Sequence, residues 1–212
     1  MKVVDRKLRA KIVKEWSGSL PLEQKIVRLF ERVRDIPFGC MGSRDPEDVY
    51  QKNMGTCSGK NLLLRELYNE IDIETKDMLT LHRFNDLVWF PTESYPLLQL
   101  PAEIEEILNR GPVYDFHNYT RISVDGRWIN VDATFDKSLS RYGFVVNENW
   151  NGKTDTMLCV AGTYKVWDCG DKGLEEKRRM TTLLPEKIQR SREVFLRKMT
   201  EWIAELRVKG EI

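Results

Sequence analysis

The chain has 212 residues, 41% of them hydrophobic and 32% charged, the composition of an ordinary globular protein with room for one substantial core. Thirty-four Lys and Arg against 33 Asp and Glu leave a formal charge of +1, which gives no basis for binding nucleic acid or an anionic membrane. The opening residues MKVVDRKLRAKIVKEW carry charge throughout instead of the apolar run of a secretory signal, and no segment approaches the roughly 20 apolar residues of a membrane span, so a cytoplasmic location is expected.

Residues 19–33, SLPLEQKIVRLFERV, place Ser19 and Pro21 in starting positions and Ile26, Phe30 and Val33 on one face, predicting an amphipathic helix. In SRDPEDVYQKN, Asp45 reads as an N-cap and Pro46 as the first turn of a short helix that stops near Gly55. The next helix begins at Thr56 or Cys57, because Leu64, Leu67, Tyr68 and Ile71 follow the spacing of a buried stripe. Beyond it the period shifts toward two, with strand-like runs at 76–81, 86–90, 113–124, 127–135, 156–160 and 164–168, interrupted by a short helix in PAEIEEILNR. The last stretch sets Ile188, Phe195, Met199, Trp202 and Leu206 on one side of a long helix over roughly 184–208. Helices, then antiparallel strands, then a helix make an α+β order, and no repeat, low-complexity run or linker divides residues 1–212, so a single domain is expected.

Four cysteines stand at 40, 57, 159 and 169, with no C-x-x-C pair and no histidine close to any of them in sequence. That spacing argues against a zinc site, and neither metal nor cofactor is expected. Cys159 and Cys169 flank a possible hairpin around Ala161-Gly162-Thr163, offset from each other, and read as free thiols.

Asp125-Gly126 is a strong two-residue turn signal between alternating runs. With Val124 opposite Arg127, His117 comes to lie opposite Thr134. Phe116, Ile122, Val124, Ile129, Val131, Ala133 and Phe135 then share an apolar face, while His117, Tyr119, Arg121, Ser123, Trp128, Asn130, Asp132 and Thr134 share the polar one. Asp132 and Asp136 occupy the two diagonals from His117, about 7–8 Å away between backbones, and register alone does not choose between them. A carboxylate that fixes the imidazole suits a general base. Cys57, in the first turn of a helix, would feel the positive end of the macrodipole and a nearby imidazolium, both of which favour thiolate. Small neighbours at Gly55, Ser58 and Gly59 would let a substrate backbone approach the sulfur.

Taken together, Gly55-Thr56-Cys57, His117 and WINVDAT at 128–134 resemble the transglutaminase-like superfamily of papain-fold cysteine enzymes, over roughly residues 35–136. The resemblance implies a papain-like core, a Cys57–His117–Asp132 triad, and Asp132 in place of Asp136. Ser58 stands where animal transglutaminases have Trp, no calcium loop is recognisable, and the paired zinc-binding cysteines of peptide N-glycanases and the Arg-rich approach of arylamine acetyltransferases are absent. A microbial-type branch is what remains.

The function expected from this is cysteine-dependent acyl transfer, with hydrolysis of a peptide or amide bond in a peptide or protein substrate through a thioester. The alternatives are an amine-accepting transglutaminase and a non-catalytic binding module that keeps the fold. Trp128, Ser58 and Gly55 are the candidate substrate-binding residues, with Trp89, Trp150 and Trp167 as further aromatic residues that could line a cleft. His82 has no comparable companion and reads as a structural or surface residue. The nine Lys and Arg of residues 171–198 read as a solvated helical face.

Overall fold

The computed structural model describes residues 5–89 and 98–212. Asp5 caps α1 (Arg6–Ser17) by accepting from Lys7 N, and α2 (Leu22–Arg34) follows with Ile26, Phe30 and Val33 buried at the predicted spacing. Asp45 caps α3 (Pro46–Lys52), its carboxylate accepting from Glu47 N at 2.9 Å; the helix stops at Asn53, which is left-handed at φ 48°. Then comes α4 (Cys57–Glu70). After β1 (Thr75–Arg83), a 3-10 helix over Phe84–Trp89 and α5 (Ala102–Asn109), the chain forms β2 (Tyr114–Val124) and β3 (Arg127–Val131). A 3-10 turn over Lys137–Tyr142, β4 (Lys165–Asp168), α6 (Gly173–Thr182) and α7 (Glu186–Val208) complete it. The four strands pair antiparallel in the order β3-β2-β1-β4, so the architecture is α+β, helices packed on an antiparallel sheet.

The hairpin register is as predicted from Val124↔Arg127 out to Thr120↔Val131. There β3 ends. Residues 132–135, expected to continue the strand, leave the ladder, so His117 and Thr134 are not a ladder pair. The predicted strand at 86–90 is instead the 3-10 helix, with residue 90 outside the described residues. Residues 156–160 form no strand and no hairpin with 164–168; β4 pairs with β1 instead, Leu79 opposite Trp167. The backbone of 156–159 is occupied elsewhere, with Thr156 N on Asn130 O, Met157 N on Asn147 Oδ1 and Cys159 N on Asp132 Oδ2. Helices α1 and α6 have no counterpart among the expected elements.

Ile12, Phe30, Leu63 and Leu67 meet Ile122 and Val131 in one apolar cluster, each such buried side chain contributing about 1.5–3 kcal/mol. A second cluster joins Ile104, Phe135, Phe144, Phe195 and Met199. Helix α4 is the departure from a simple stripe: Ser58 through Tyr68 are all buried. Its polar side chains are buried with their partners, as burial of charge requires. Arg65 bonds Asp77 at 2.5 Å and Glu66 at 2.7 Å, and Lys60 Nζ donates to the carbonyls of Arg34, Ile36 and Thr134 at 2.7–2.8 Å. Among the described residues no helix is long and apolar enough to cross a membrane.

Candidate active site

Cys57 is the first residue of α4, and Thr56 before it is extended with no side-chain cap, which leaves the first-turn amides uncapped by a side chain. The approach is fixed by backbone bonds: Gly55 N donates to Pro37 O and Gly39 N to Gly55 O, both at 3.1 Å. Within the next turn, Lys60 and Asn61 pull the peeled end of β3 onto the same helix. Asn61 Oδ1 accepts from Ala133 N at 3.1 Å, and its Nδ2 donates to Thr134 Oγ1 at 3.2 Å and Asp132 Oδ1 at 3.3 Å.

That anchoring brings Asp132 Oδ2 to 2.7 Å from His117 Nε2. The same carboxylate accepts from Cys159 N at 2.8 Å and from Thr134 Oγ1 at 2.6 Å. Burial would raise its pKa, but the charge and hydrogen bond of His117, with these donors, hold it at about 2. With Nε2 engaged, Nδ1 is the imidazole atom left for the thiol, and His117 and Cys57 are close enough for each to shift the other's pKa. Burial lowers the His117 pKa; the Asp132 charge, its hydrogen bond and Cys57 outweigh this and lift it to about 10. Burial likewise raises the thiol, but Lys177, then His117, outweigh it against Asp115 and bring Cys57 down to about 6. The arrangement is a thiolate–imidazolium pair with an aligned carboxylate, chemically able to attack a carbonyl and deliver a proton.

Ser58 is fully buried; its Oγ lies 3.9 Å from Cys57 Sγ and donates to Asn118 Oδ1 at 2.7 Å. A Cβ at Gly55 would meet Lys60 Cγ at 3.0 Å, and one at Gly59 would meet Val49 Cγ2 at 2.8 Å. Both glycines allow close packing around α3 and α4. Trp128 pairs with Ser123, six residues along β2 from His117 and therefore about 20 Å away, and lies under Lys76 Nζ. Trp150 packs on Phe30 in the core, Trp167 lies near Phe116, and the side chain of Trp89 lies outside the described residues. Asp136 accepts from Phe38 N and pairs with Arg207, both at 2.7 Å, fastening α7.

Residues missed in the sequence gather around the pair. Lys177 Nζ is 3.6 Å from Cys57 Sγ, and Asp115 stands between Lys177 and Arg192, at 3.8 and 2.5 Å. Two of the basic residues expected on a solvated face thus turn inward. His82 is buried edge-on to Phe84, 6.2 Å from the His117 ring, and burial pushes it down to about 3, so it is neutral. No local pattern could have revealed these; each belongs to an element far from Cys57 in sequence. A groove of about 690 Å³ runs along α7, its wall including Phe38, Met54, Arg192 and Leu196. Among the described residues no three His, Cys, Asp or Glu side chains are grouped to hold a metal ion.

No protein-family model and no curated protein matches the chain. Among solved structures it is similar to a candidate cysteine protease from Cytophaga hutchinsonii, at 17% identity and a TM-score of 0.42. The match covers 63% of this chain and 39% of that one, a likeness too slight to carry any statement about activity.

Proposed function

We propose that this chain is a cysteine-dependent acyl-transfer enzyme that hydrolyses a peptide or amide bond through a thioester, with Cys57 as nucleophile, His117 as acid and base, and Asp132 as the group that orients the imidazole. In the first half-reaction Sγ bonds to the carbonyl carbon, the C–N bond breaks, and the His117 proton goes to the leaving amine. In the second, water gives a proton to His117 and its oxygen to the acyl carbon, and the C–S bond breaks to return the thiolate. The observation that carries the reading is the 2.7 Å hydrogen bond between His117 Nε2 and an Asp132 carboxylate fixed by Asn61, Thr134 and Cys159, beside a Cys57 thiol whose pKa Lys177 and His117 lower. A peptide or protein is the proposed substrate, and the groove beside Met54 is the proposed place for one of its side chains.

The test is a peptide library offered with a thiol-directed activity probe, followed by product analysis in millimolar primary amine. Free acid as the main product supports hydrolysis. Amide products would assign the chain to the amine-accepting class, and turnover unchanged by Cys57→Ala would end the enzyme reading.

A further inference from the structure

Helix α6 is pressed against the sheet at its start. Gly173 N donates to Asp77 Oδ2 at 3.0 Å, and a Cβ at 173 would come within 2.6 Å of Asp77 Cβ. This approach drives Lys177, one turn further on, into the interior, where it is 6% exposed.

Among the described residues two lysines are buried, and they are solvated differently. Lys60 spends its three protons on three backbone carbonyls at 2.7–2.8 Å. Among the described residues Lys177 has only Cys57 Sγ at 3.6 Å and Asp115 Oδ2 at 3.8 Å, and that carboxylate is already held by Arg192. A buried ammonium with no oxygen at hydrogen-bonding distance is short of acceptors. The groups facing it are Cys57 from α4, Asp115 and His117 from β2, neutral His82 from β1 and Arg192 from α7. When Sγ becomes a thioester its negative charge disappears, and Lys177 loses its nearest counter-charge. The oxyanion that forms and collapses in each half-reaction sits on the carbon bonded to Sγ, within reach of a group 3.6 Å from the sulfur.

We propose that Lys177 is a further catalytic residue, whose ammonium holds the Cys57 thiolate in the resting protein and donates to the oxyanion when the thioester forms and breaks. It would complement the first-turn amides of α4, which no side chain caps. The inference rests on Cys57 being the nucleophile.

Two reagents separate the two roles. Iodoacetamide alkylates the thiolate by displacement and forms no oxyanion, whereas p-nitrophenyl acetate acylates it through one. In wild type the alkylation rate of Cys57 should rise through an inflection at about pH 6. In Lys177→Met the inflection should move up by about one unit or more, with alkylation at pH 6 about tenfold slower. Lys177→Arg, which keeps the charge, should restore most of it. Above each variant's own inflection, acylation relative to alkylation should fall about tenfold or more in Lys177→Met. Melting curves of both variants report whether folding is intact, and Lys177→Arg carries the test if the methionine variant is unfolded: a wild-type inflection together with wild-type acylation supports the charge. An unmoved inflection in folded Lys177→Met overturns the counter-ion role, and acylation that simply tracks thiolate content overturns the oxyanion role. A wild-type inflection near that of a free cysteine, about 8.5, would instead sink the nucleophile itself.

Discussion

The start of α4 and the loop at 156–160 each bring a cysteine to the same carboxylate, with opposite results. Cys159 donates its backbone N–H to Asp132 Oδ2 and points its Sγ toward Val145 O, 3.4 Å away. Burial, then the Asp132 charge, pushes its thiol far above the ordinary range. Cys57 meets the same carboxylate only through His117, with Lys177 on hand, and these cations outweigh burial to bring it down to about 6. The direction of each thiol's shift is decided by which charge lies next to sulfur; both are raised by burial, and only at Cys57 is this outweighed.

Four substitutions would break or sharpen that contrast. The largest effect is expected from Cys57→Ala, which should remove the fast phase of thiol-probe labelling in the folded protein at pH 6–7, leaving slow labelling of exposed Cys40, read by peptide mass spectrometry. Persistent labelling at Cys159 would mean the contrast is misassigned.

Next comes Asp132→Ala. It strips acceptors from His117, Cys159 N, Thr134 and Asn61 at once and strands a buried cation, so a loss of about 3–5 kcal/mol in urea unfolding is expected. A loss under about 1 kcal/mol would show that the carboxylate is not the shared anchor.

His117→Ala should leave Asp132 and Cys159 joined while slowing Cys57 alkylation at pH 6 by about tenfold. The sign follows from the shift. The folded value of Cys57 is depressed, so thiolate is present above about pH 6 and is lost as pH falls through it; removing a cation moves that boundary up. No change in the profile would leave Lys177 as the sole source of the depression.

The smallest effect belongs to Cys159→Ala. The backbone N–H to Asp132 survives, so Cys57 alkylation should stay within about twofold and stability within about 1–2 kcal/mol. A tenfold change at Cys57 would mean that the Cys159 side chain, not its amide, supports the carboxylate.

Much of the frame was legible. The Asp125-Gly126 turn and the strict alternation beside it specified the β2–β3 register, because a two-residue turn leaves no freedom in which residues oppose. The capped start of α3 and the stripe of α4 placed Cys57 at a helix start, as found. Illegible were the fates of residues whose pattern has more than one reading. The alternation at 156–160 looked like a strand edge, yet its amides go to Asn130, Asn147 and Asp132. That the glycines flanking Cys57 also pack against Val49 and Lys60 has no local signal.

Local order, then, was determined by the sequence itself: where α4 begins, how β2 meets β3, and that His117 and Asp132 fall on one side of the hairpin. These follow from periodicity and turn chemistry within a few residues. Only the tertiary structure decided that Lys60 and Asn61 bind the end of β3 to α4, that Cys159 supplies an amide to Asp132, and that Lys177 crosses from a helix 120 residues away to the thiol. A hydrophobic pattern says which face is buried, but it does not say which polar groups will be buried together. That choice is made when distant elements pack and each buried donor and charge must find its partner.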